Sequence, residues 1–306
     1  MMDFKPEGLG RRIDTLCESE LAAATCGSGI FESTALAYDN KRRLRFEING
    51  KIVYMPLEEC ADGANQPDFR EIALLTRVGR PTCFLLSYPN GAEEEPFISR
   101  RAAQQECKAQ YLDLLGPGDT LCCKVTHIEP FGAFCDVGCG ISALLPIDCL
   151  SVSRIQSPAD RIKVGQQLLC AIKYRDGMGR LVLTLKELMG TWNENAACFH
   201  PGETVVGIVR SVEAYGVFIE IAPNLAGLAE CEEELRPGQP VSVYIKSILP
   251  DKMKIKLAVV NSRLDESVFF GPRYFTKPRH ISIWTYSPIG CKKHVETRFD
   301  SPSLPL

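Results

Sequence analysis

The sequence predicts a mainly β protein with three tandem five-stranded barrels, joined by short helices and followed by an aromatic and basic C-terminal extension. Two observations predict it. A segment of about 70 residues occurs twice in tandem, and each copy contains five short stretches rich in β-branched and apolar residues. Five short strands with one long connection favour a closed barrel, because closure leaves no strand edge exposed.

The repeat is clearest in the second and third barrels, where residues 84 positions apart match. The matched positions are Gly118 and Gly202, Val125 and Val209, Phe131–Phe134 and Tyr215–Phe218, Asp136 and Glu220, Ile141 and Leu225, and Leu144 and Leu228. After a shorter loop in the later copy, the match resumes 73 positions apart with Gly165 and Gly238. A match of this length indicates tandem copies of one domain.

The strands of the earlier copy are predicted from β-branched and apolar stretches with Gly, Pro and Asp between them. They are Thr120–Ile128, Phe131–Val137, Ile141–Leu145, Leu168–Arg175 and Leu181–Leu185. Upstream, Tyr54–Leu57 echoes Leu144–Ile147, and Asn49-Gly50 is a strong signal for a two-residue hairpin. We therefore expect a degenerate first barrel in residues 27–100.

Two connecting helices are expected. Arg100–Leu115 is rich in alanine and glutamine and contains no breaker, and a second helix is expected over Leu185–Ala197. The predicted domains are a leader (1–26), a degenerate barrel with its helix (27–116), a second barrel with its helix (117–199), a third barrel (200–261) and the extension (262–306).

The composition indicates a folded chain that neither spans a membrane nor carries a secretory signal. Hydrophobic residues make up 45% and charged residues 24%, and no run approaches the roughly 18 apolar residues of a membrane helix. The first residues lack the apolar core of a signal peptide. Fourteen cysteines without a Cys-x-x-Cys pair favour a reducing cytoplasm, where thiols act as small apolar residues.

The sequence contains no catalytic or cofactor signature. Its four histidines lack metal-ligand spacing, and no Gly-rich loop precedes a Lys-Ser/Thr pair that would bind a nucleoside triphosphate. We therefore expect a protein that is not an enzyme and needs no cofactor. The formal net charge of −3 argues against nucleic-acid binding through bulk positive charge.

An aromatic-Gly-x-aromatic motif occurs at the same place in both copies, as Phe131–Phe134 and Tyr215–Phe218. Strand residues three apart ordinarily face opposite sides. A strand that begins at the glycine would instead leave the first ring on the turn and bring both rings to one surface, where bases of single-stranded RNA can stack. The alternative is that Phe134 and Phe218 belong to the barrel cores.

The second copy carries a set of landmarks in fixed order. They are Gly118-Asp119-Thr120, Phe131–Phe134, Arg154, Lys163–Gln166, Asp176 and Arg180. This set resembles the S1 RNA-binding domain, and the arrangement over residues 27–261 is similar to the short ribosomal protein S1 homologues of Gram-positive bacteria. The resemblance implies OB-fold barrels whose RNA face holds an aromatic pair, a histidine and an acidic–basic pair. It also implies that a degenerate leading barrel contacts protein at the ribosome.

The resemblance implies an RNA-binding set in each of the two clear copies. These residues are Phe131, Phe134, Asp176 and Arg180 in the second barrel, with Lys124, Arg154 and Lys173 as added basic groups, and Tyr215, Phe218 and Lys254 in the third. The family's histidine is missing from both copies, where Pro146 and Glu230 stand instead. For the lysines, the alternative is that they are merely solvated on the barrel surface.

The extension, residues 262–306, interleaves aromatic residues with Lys and Arg, which suits single-stranded RNA. The alternative is that its aromatic residues pack onto the third barrel, because Ile281–Tyr286 alternates like a strand.

Taken together, these features predict a non-catalytic cytoplasmic protein that binds single-stranded RNA or mRNA in translation at the small ribosomal subunit, docking through residues 27–116. One alternative is an accessory RNA-binding subunit or regulator of an RNA-processing enzyme. The other is a protein-interaction scaffold that has lost RNA binding, which the missing histidines and the acidic third copy favour.

Overall fold

The structure, a computed structural model, describes residues 4–13, 29–67, 69–87, 97–230, 235–262 and 268–299. It divides into two compact units. The N-terminal unit comprises residues 1–115 with 136–142, and the C-terminal unit comprises residues 116–135 with 143–306. Within the described residues, no helix has the length and apolar character needed to cross a bilayer. Most of the predicted leader and the acidic run 232–234 lie outside the described residues.

Within the described residues, the N-terminal unit contains six strands and two helices. These are β1 (Ile30–Thr34), β2 (Ala37–Tyr38), β3 (Arg43–Ile48), β4 (Lys51–Pro56), α1 (Ile72–Leu75), β5 (Pro81–Ser87), β6 (Phe97–Ser99) and α2 (Arg100–Gln110). The strands form two three-stranded antiparallel sheets, in the orders β1-β5-β6 and β2-β3-β4. Phe31, Phe46, Met55 and Phe84 are buried in one core that both sheets share.

The predicted closed first barrel is not confirmed. Among the described residues, β2 pairs only with β3, and β6 pairs only with β5. Because β2 has two residues and β6 has three, they offer few backbone groups for the pairing that closes a ring. The Asn49-Gly50 turn does join β3 to β4 as predicted, and its two residues have positive φ angles of 50° and 74°.

The first predicted helix is confirmed but is shorter than expected. Ser99 caps α2, since its side-chain oxygen accepts a hydrogen bond from the backbone N–H of Ala102 at 2.9 Å. The helix ends at Gln110, and a single 3₁₀ turn over Leu112–Leu114 completes the segment.

The second and third predicted barrels are closed and five-stranded. The earlier one contains β7 (Thr120–Glu129), β8 (Gly132–Asp136), β9 (Ser142–Pro146), α3 (Ile147–Leu150), β10 (Gln167–Arg175) and β11 (Leu181–Thr184). The later one contains β12 (Thr204–Glu213), β13 (Gly216–Ala222), β14 (Leu225–Ala229), β15 (Pro240–Leu249) and β16 (Lys254–Asn261). Each ring closes by parallel pairing of its third and fifth strands, at the matched positions Leu144 and Leu228. This architecture is consistent with the OB-fold.

The second connecting helix does not run through Leu185–Ala197. A 3₁₀ turn over Lys186–Met189 ends at Gly190, which has a φ of +80°, and α4 (Trp192–Ala196) then begins. Thr191 and Glu194 form a capping box that starts the new helix. A Cβ on Gly190 would lie 2.7 Å from the Phe275 ring, so packing of the extension requires this break.

The aromatic extension packs against the C-terminal unit, as the alternative interpretation expects. It forms the hairpin β17 (Ile283–Thr285) and β18 (Glu296–Arg298). Trp284, Tyr286 and Phe299 are buried in one apolar cluster with the third-barrel core and with Trp192 of α4. These three rings are therefore structural and are not available for stacking bases.

A buried charge cluster joins the second and third barrels. The side chains of Glu220 and Arg161 are fully buried and ion-paired, although Glu220 lies on β13 and Arg161 lies in the connection between the third and fourth strands of the earlier barrel. Arg210 Nε donates to Glu220 at 2.8 Å, and Arg161 also donates to the backbone oxygen of Phe270 at 2.6 Å. Each barrel thus contributes one guanidinium to a single carboxylate.

A second buried charge cluster lies within the N-terminal unit. The Glu7 carboxylate contacts Arg77, and it accepts a hydrogen bond from Arg100 Nε at 2.7 Å. Burial alone would raise the pKa of Glu7, but the two guanidiniums outweigh it and hold the pKa at about 2. The Asp136 carboxylate accepts from the Glu7 backbone N–H at 2.7 Å. Burial and the Glu7 charge raise the pKa of Asp136 to about 6.

Replacing Glu220 with Gln should lower the free energy of unfolding by about 3–5 kcal/mol, because two buried guanidiniums would lose their common counter-charge. Urea unfolding of the full chain at neutral pH measures the change. Glu203→Gln is the matched control: Glu203 is half-exposed beside His200, so its loss should cost about 0–1 kcal/mol. Equal effects of the two substitutions would contradict the structural role of Glu220.

Replacing Glu7 with Gln should be similarly costly at neutral pH, because Arg100 would stay buried without its partner. The folded pKa of Glu7 is about 2 against an ordinary 4.5. Its stabilisation is therefore complete above about pH 4.5 and is lost as the pH falls toward 2. Urea unfolding at a series of pH values should show the gap between wild type and variant narrowing below about pH 4.5. The exposed Glu58→Gln control should show no such trend, and a gap that widens on acidification would refute this assignment.

Candidate nucleic-acid interface

The two aromatic pairs have the same geometry. Phe131 and Phe134 have ring centroids 6.1 Å apart at an interplanar angle of 87°, and Tyr215 and Phe218 repeat both values. The first ring of each pair lies on the turn and is well exposed, at 55% for Phe131 and 70% for Tyr215. The second rings are half-buried and lie outside the buried cores. Each pair therefore presents two contacting rings on one surface, as the glycine-start prediction expects.

The glycine inside each motif is required by close backbone packing. A Cβ on Gly132 would lie 2.6 Å from the Leu145 carbonyl oxygen, and one on Gly216 would lie 2.5 Å from the Ala229 carbonyl oxygen. β8 and β13 begin at these glycines. The third strand can thus approach the second strand beside the exposed ring.

The acidic–basic pair of the second barrel forms a rigid turn between β10 and β11. One Asp176 oxygen accepts from the backbone N–H groups of Met178 and Arg180, both at 2.9 Å, and the other accepts from Arg180 Nε at 2.7 Å. These hydrogen bonds from Arg180 lower the pKa of Asp176. Arg180 remains 66% exposed, so Asp176 orders a turn that presents a guanidinium to solvent.

The lysines around the second barrel are partly engaged within the protein. Lys173 is half-buried, with its Nζ 3.1 Å from Cys149 Sγ and 3.8 Å from the Asp148 carboxylate. Lys186 donates to the Asp148 backbone oxygen at 3.1 Å. Lys124 lies on β7 opposite Gln167. The structure therefore places Arg180 in a more exposed position than Lys173 among the basic groups that the sequence assigns to this barrel.

The third barrel has a groove of about 400 Å³ beside its aromatic pair. Arg154, which the sequence groups with the second barrel, lines this groove together with Tyr215, Phe218 and Lys293 of the extension. Lys254, the other basic residue expected here, is exposed at the start of β16, directly after the groove residue Met253. The sequence groups Lys293 with the basic residues of the extension but does not place it beside the third barrel, because nothing in the local sequence shows where the extension returns.

The positions of the missing family histidine lack a stacking group. Pro146 ends β9, and Glu230 directly follows β14. Glu230 accepts from Lys246 Nζ at 2.9 Å, and this lysine lowers the pKa of Glu230. Lys246 thus offsets part of the negative charge that Glu230 would present to a phosphate.

The four histidines each lie beside a carboxylate. The pairs are His127 with Glu129, His200 with Glu203, His280 with Asp119, and His294 with Glu296. Across the described ranges, no group of three or more His, Cys, Asp or Glu side chains is arranged to hold a metal ion.

Comparison with known proteins identifies one domain of the chain and several similar proteins. The model of the S1 RNA binding domain matches residues 115–184, which include all five strands of the second barrel. The chain is 32% identical over 188 residues to small ribosomal subunit protein bS1 of Staphylococcus aureus (strain COL), covering 56% of this chain and 48% of that protein. The bS1 protein of Staphylococcus epidermidis matches over the same length at the same identity.

Among solved structures, a multidomain protein with nucleic acid binding domains from Streptococcus pneumoniae aligns with 78% of this chain and with 75% of its own chain. The sequence identity is 12% and the TM-score is 0.26. The chain spans about half the length of the curated relatives it matches. The domain match and the two closed barrels agree: this chain contains an S1 RNA-binding domain, and it is similar to ribosomal protein bS1 over more than half of its length.

Proposed function

We propose that this protein is a non-catalytic RNA-binding protein that holds single-stranded RNA, including mRNA, for translation at the small ribosomal subunit. The observation that carries the proposal is the aromatic pair, which recurs in two barrels with the same ring separation and angle. An exposed edge-to-face pair on a barrel surface offers one ring face to a base, and such stacking tolerates any base.

Stacking is the main source of affinity in this proposal. The formal net charge is −3, and Lys173 already lies beside Cys149 and Asp148. Arg180 supplies an exposed cation at the second barrel. We therefore expect binding that weakens only modestly as salt is raised, since each phosphate contact on a single strand contributes a slope of about −0.7.

The N-terminal unit is proposed to contact protein, and residues 27–116 are the proposed docking region for the ribosome. It has no aromatic-Gly-x-aromatic pair, whereas α1 exposes Ile72 to 60% and Leu75 to 47%. Apolar side chains exposed together suit a protein partner better than a phosphate backbone. The related bS1 proteins are named as small ribosomal subunit proteins, which supports that partner and a cytoplasmic location.

Replacing Phe131 and Phe134 together with alanine should weaken single-stranded RNA binding by about 1–3 kcal/mol for each base that stacks. Fluorescence anisotropy with a labelled RNA oligonucleotide, across a salt series, measures the affinity and its slope. Tyr54→Ala is the control, because Tyr54 is an exposed ring stacked by Arg43 outside both faces.

The salt slope should stay nearly unchanged in the double variant, because no cation is removed. If the wild-type protein fails to bind RNA at low salt, the proposed function is contradicted, and the alternative of a protein-interaction scaffold remains. Equal RNA affinities of the wild type and the double variant would show that RNA does not bind at the Phe131 and Phe134 face.

Replacing Ile72 and Leu75 together with Asp should abolish co-sedimentation of the full chain with the small ribosomal subunit while RNA affinity stays at the wild-type value. Two charges at an apolar contact introduce a desolvation cost without affecting the barrel faces. Wild-type protein that never co-sediments would refute the ribosomal role. That result would leave the alternative, in which the protein associates with an RNA-processing enzyme.

A further inference from the structure

The groove beside Tyr215 and Phe218 is built from three distant parts of the C-terminal unit. Arg154 comes from the long connection of the second barrel, the aromatic pair from β12–β13 of the third, and Tyr286 and Lys293 from the extension. A barrel of this type alone would lack two of these three parts.

The positions of these parts are fixed by hydrogen bonds through Asn224, which occupies a left-handed turn with a φ of +64° between β13 and β14. Its side-chain oxygen accepts from the Val152 backbone N–H at 2.8 Å and from the Ser151 hydroxyl at 3.1 Å. The Tyr286 hydroxyl donates a hydrogen bond to the backbone oxygen of Asn224. Asn224 therefore holds the Arg154 segment and the extension against the third barrel.

The charges at the groove favour an anion. Arg210 also lines it, but this guanidinium is bound to Glu220 and lies near Asp160. Arg154 and Lys293 are exposed, and Glu213 is the acidic residue among the groove residues. Two cations against one carboxylate leave a local positive charge beside two aromatic rings.

We propose that this groove is a nucleotide subsite for single-stranded RNA, in which a base stacks on Tyr215 and Arg154 and Lys293 bind the adjacent phosphate. The proposal rests on the proposed RNA-binding function and extends it to residues outside the third barrel. A cavity of about 400 Å³ lies in the range that binds small ligands. The combination of a stacking ring with flanking cations is the chemistry that single strands require.

The extension then has two roles. Its buried rings fix it to the C-terminal unit, and its exposed loop between β17 and β18 carries Lys293 into the groove. The third barrel would thus stack the base on its own Tyr215 and bind the phosphate through cations that its own sequence does not contain.

The test uses the full chain in the Phe131→Ala/Phe134→Ala background, so that the second barrel's face does not mask the groove. Arg154→Gln and Lys293→Ala should each reduce the affinity for a single-stranded RNA oligonucleotide about fivefold at 0.1 M salt and lower the salt slope by about 0.7. Tyr215→Ala should reduce the affinity roughly 5- to 100-fold with little change of slope. Lys292→Ala is the matched control, an exposed neighbouring lysine that is not among the groove residues.

Each outcome is decisive. If Arg154→Gln and Lys293→Ala bind RNA as Lys292→Ala does, the groove subsite is wrong, while RNA loss in the Phe131/Phe134 variant would still support the proposed function. If the unaltered chain binds no RNA, both proposals fail. Thermal unfolding that matches wild type ensures that a loss of affinity reports the removed cation, since both altered side chains are exposed.

Discussion

The Glu220 carboxylate is completely buried between Arg161 and Arg210, and the arrangement of the C-terminal unit depends on this contact. A buried carboxylate is costly unless cations and hydrogen bonds compensate for its lost hydration. Here the compensation comes from both barrels, because Arg161 belongs to the earlier barrel and Arg210 to the later one. Arg161 in turn binds the Phe270 carbonyl oxygen, so the beginning of the extension is held by the same cluster. The groove beside Tyr215 exists only while these segments stay together.

The same repeat position is an anchor in both barrels. Asp136 and Glu220 occupy matched positions on the second strand, and both are buried. Asp136 accepts backbone N–H groups from Glu7, Gly138 and Gly140, whereas Glu220 pairs with two guanidiniums. Burial and the neighbouring Glu7 charge raise the pKa of Asp136. Glu220 binds Arg161, which lies before its own barrel in the chain, and this contact connects the second and third barrels.

The sequence predicts the local features of the two clear barrels well and their long-range contacts poorly. Ten strands and both aromatic pairs follow from period-two alternation, glycine positions and the repeat, all of which act over a few residues. The break at Gly190 was detectable in principle, since Thr191 and Glu194 spell a capping box. The position of Arg154 in the third barrel's groove could not be detected from the sequence, because it depends on Asn224, which lies some seventy residues later. The prediction of a closed first barrel is not confirmed for a related reason. Its sequence motifs resemble those of the repeat, but the described strands β2 and β6 are too short to close a ring.

The whole-chain charge is a poor guide to what an RNA strand meets at the surface. Among the described residues, six carboxylates are buried but only three guanidiniums, so the surface is less negative than the formal −3. Several of the buried acids, Glu7, Asp136 and Glu220 among them, serve the internal anchors described above. These buried acids serve the fold, whereas the basic residues Arg154, Arg180 and Lys293 are exposed. A protein with negative net charge can thus present locally positive, aromatic surfaces to a single strand, because exposed charges farther from a phosphate than about one Debye length are largely screened.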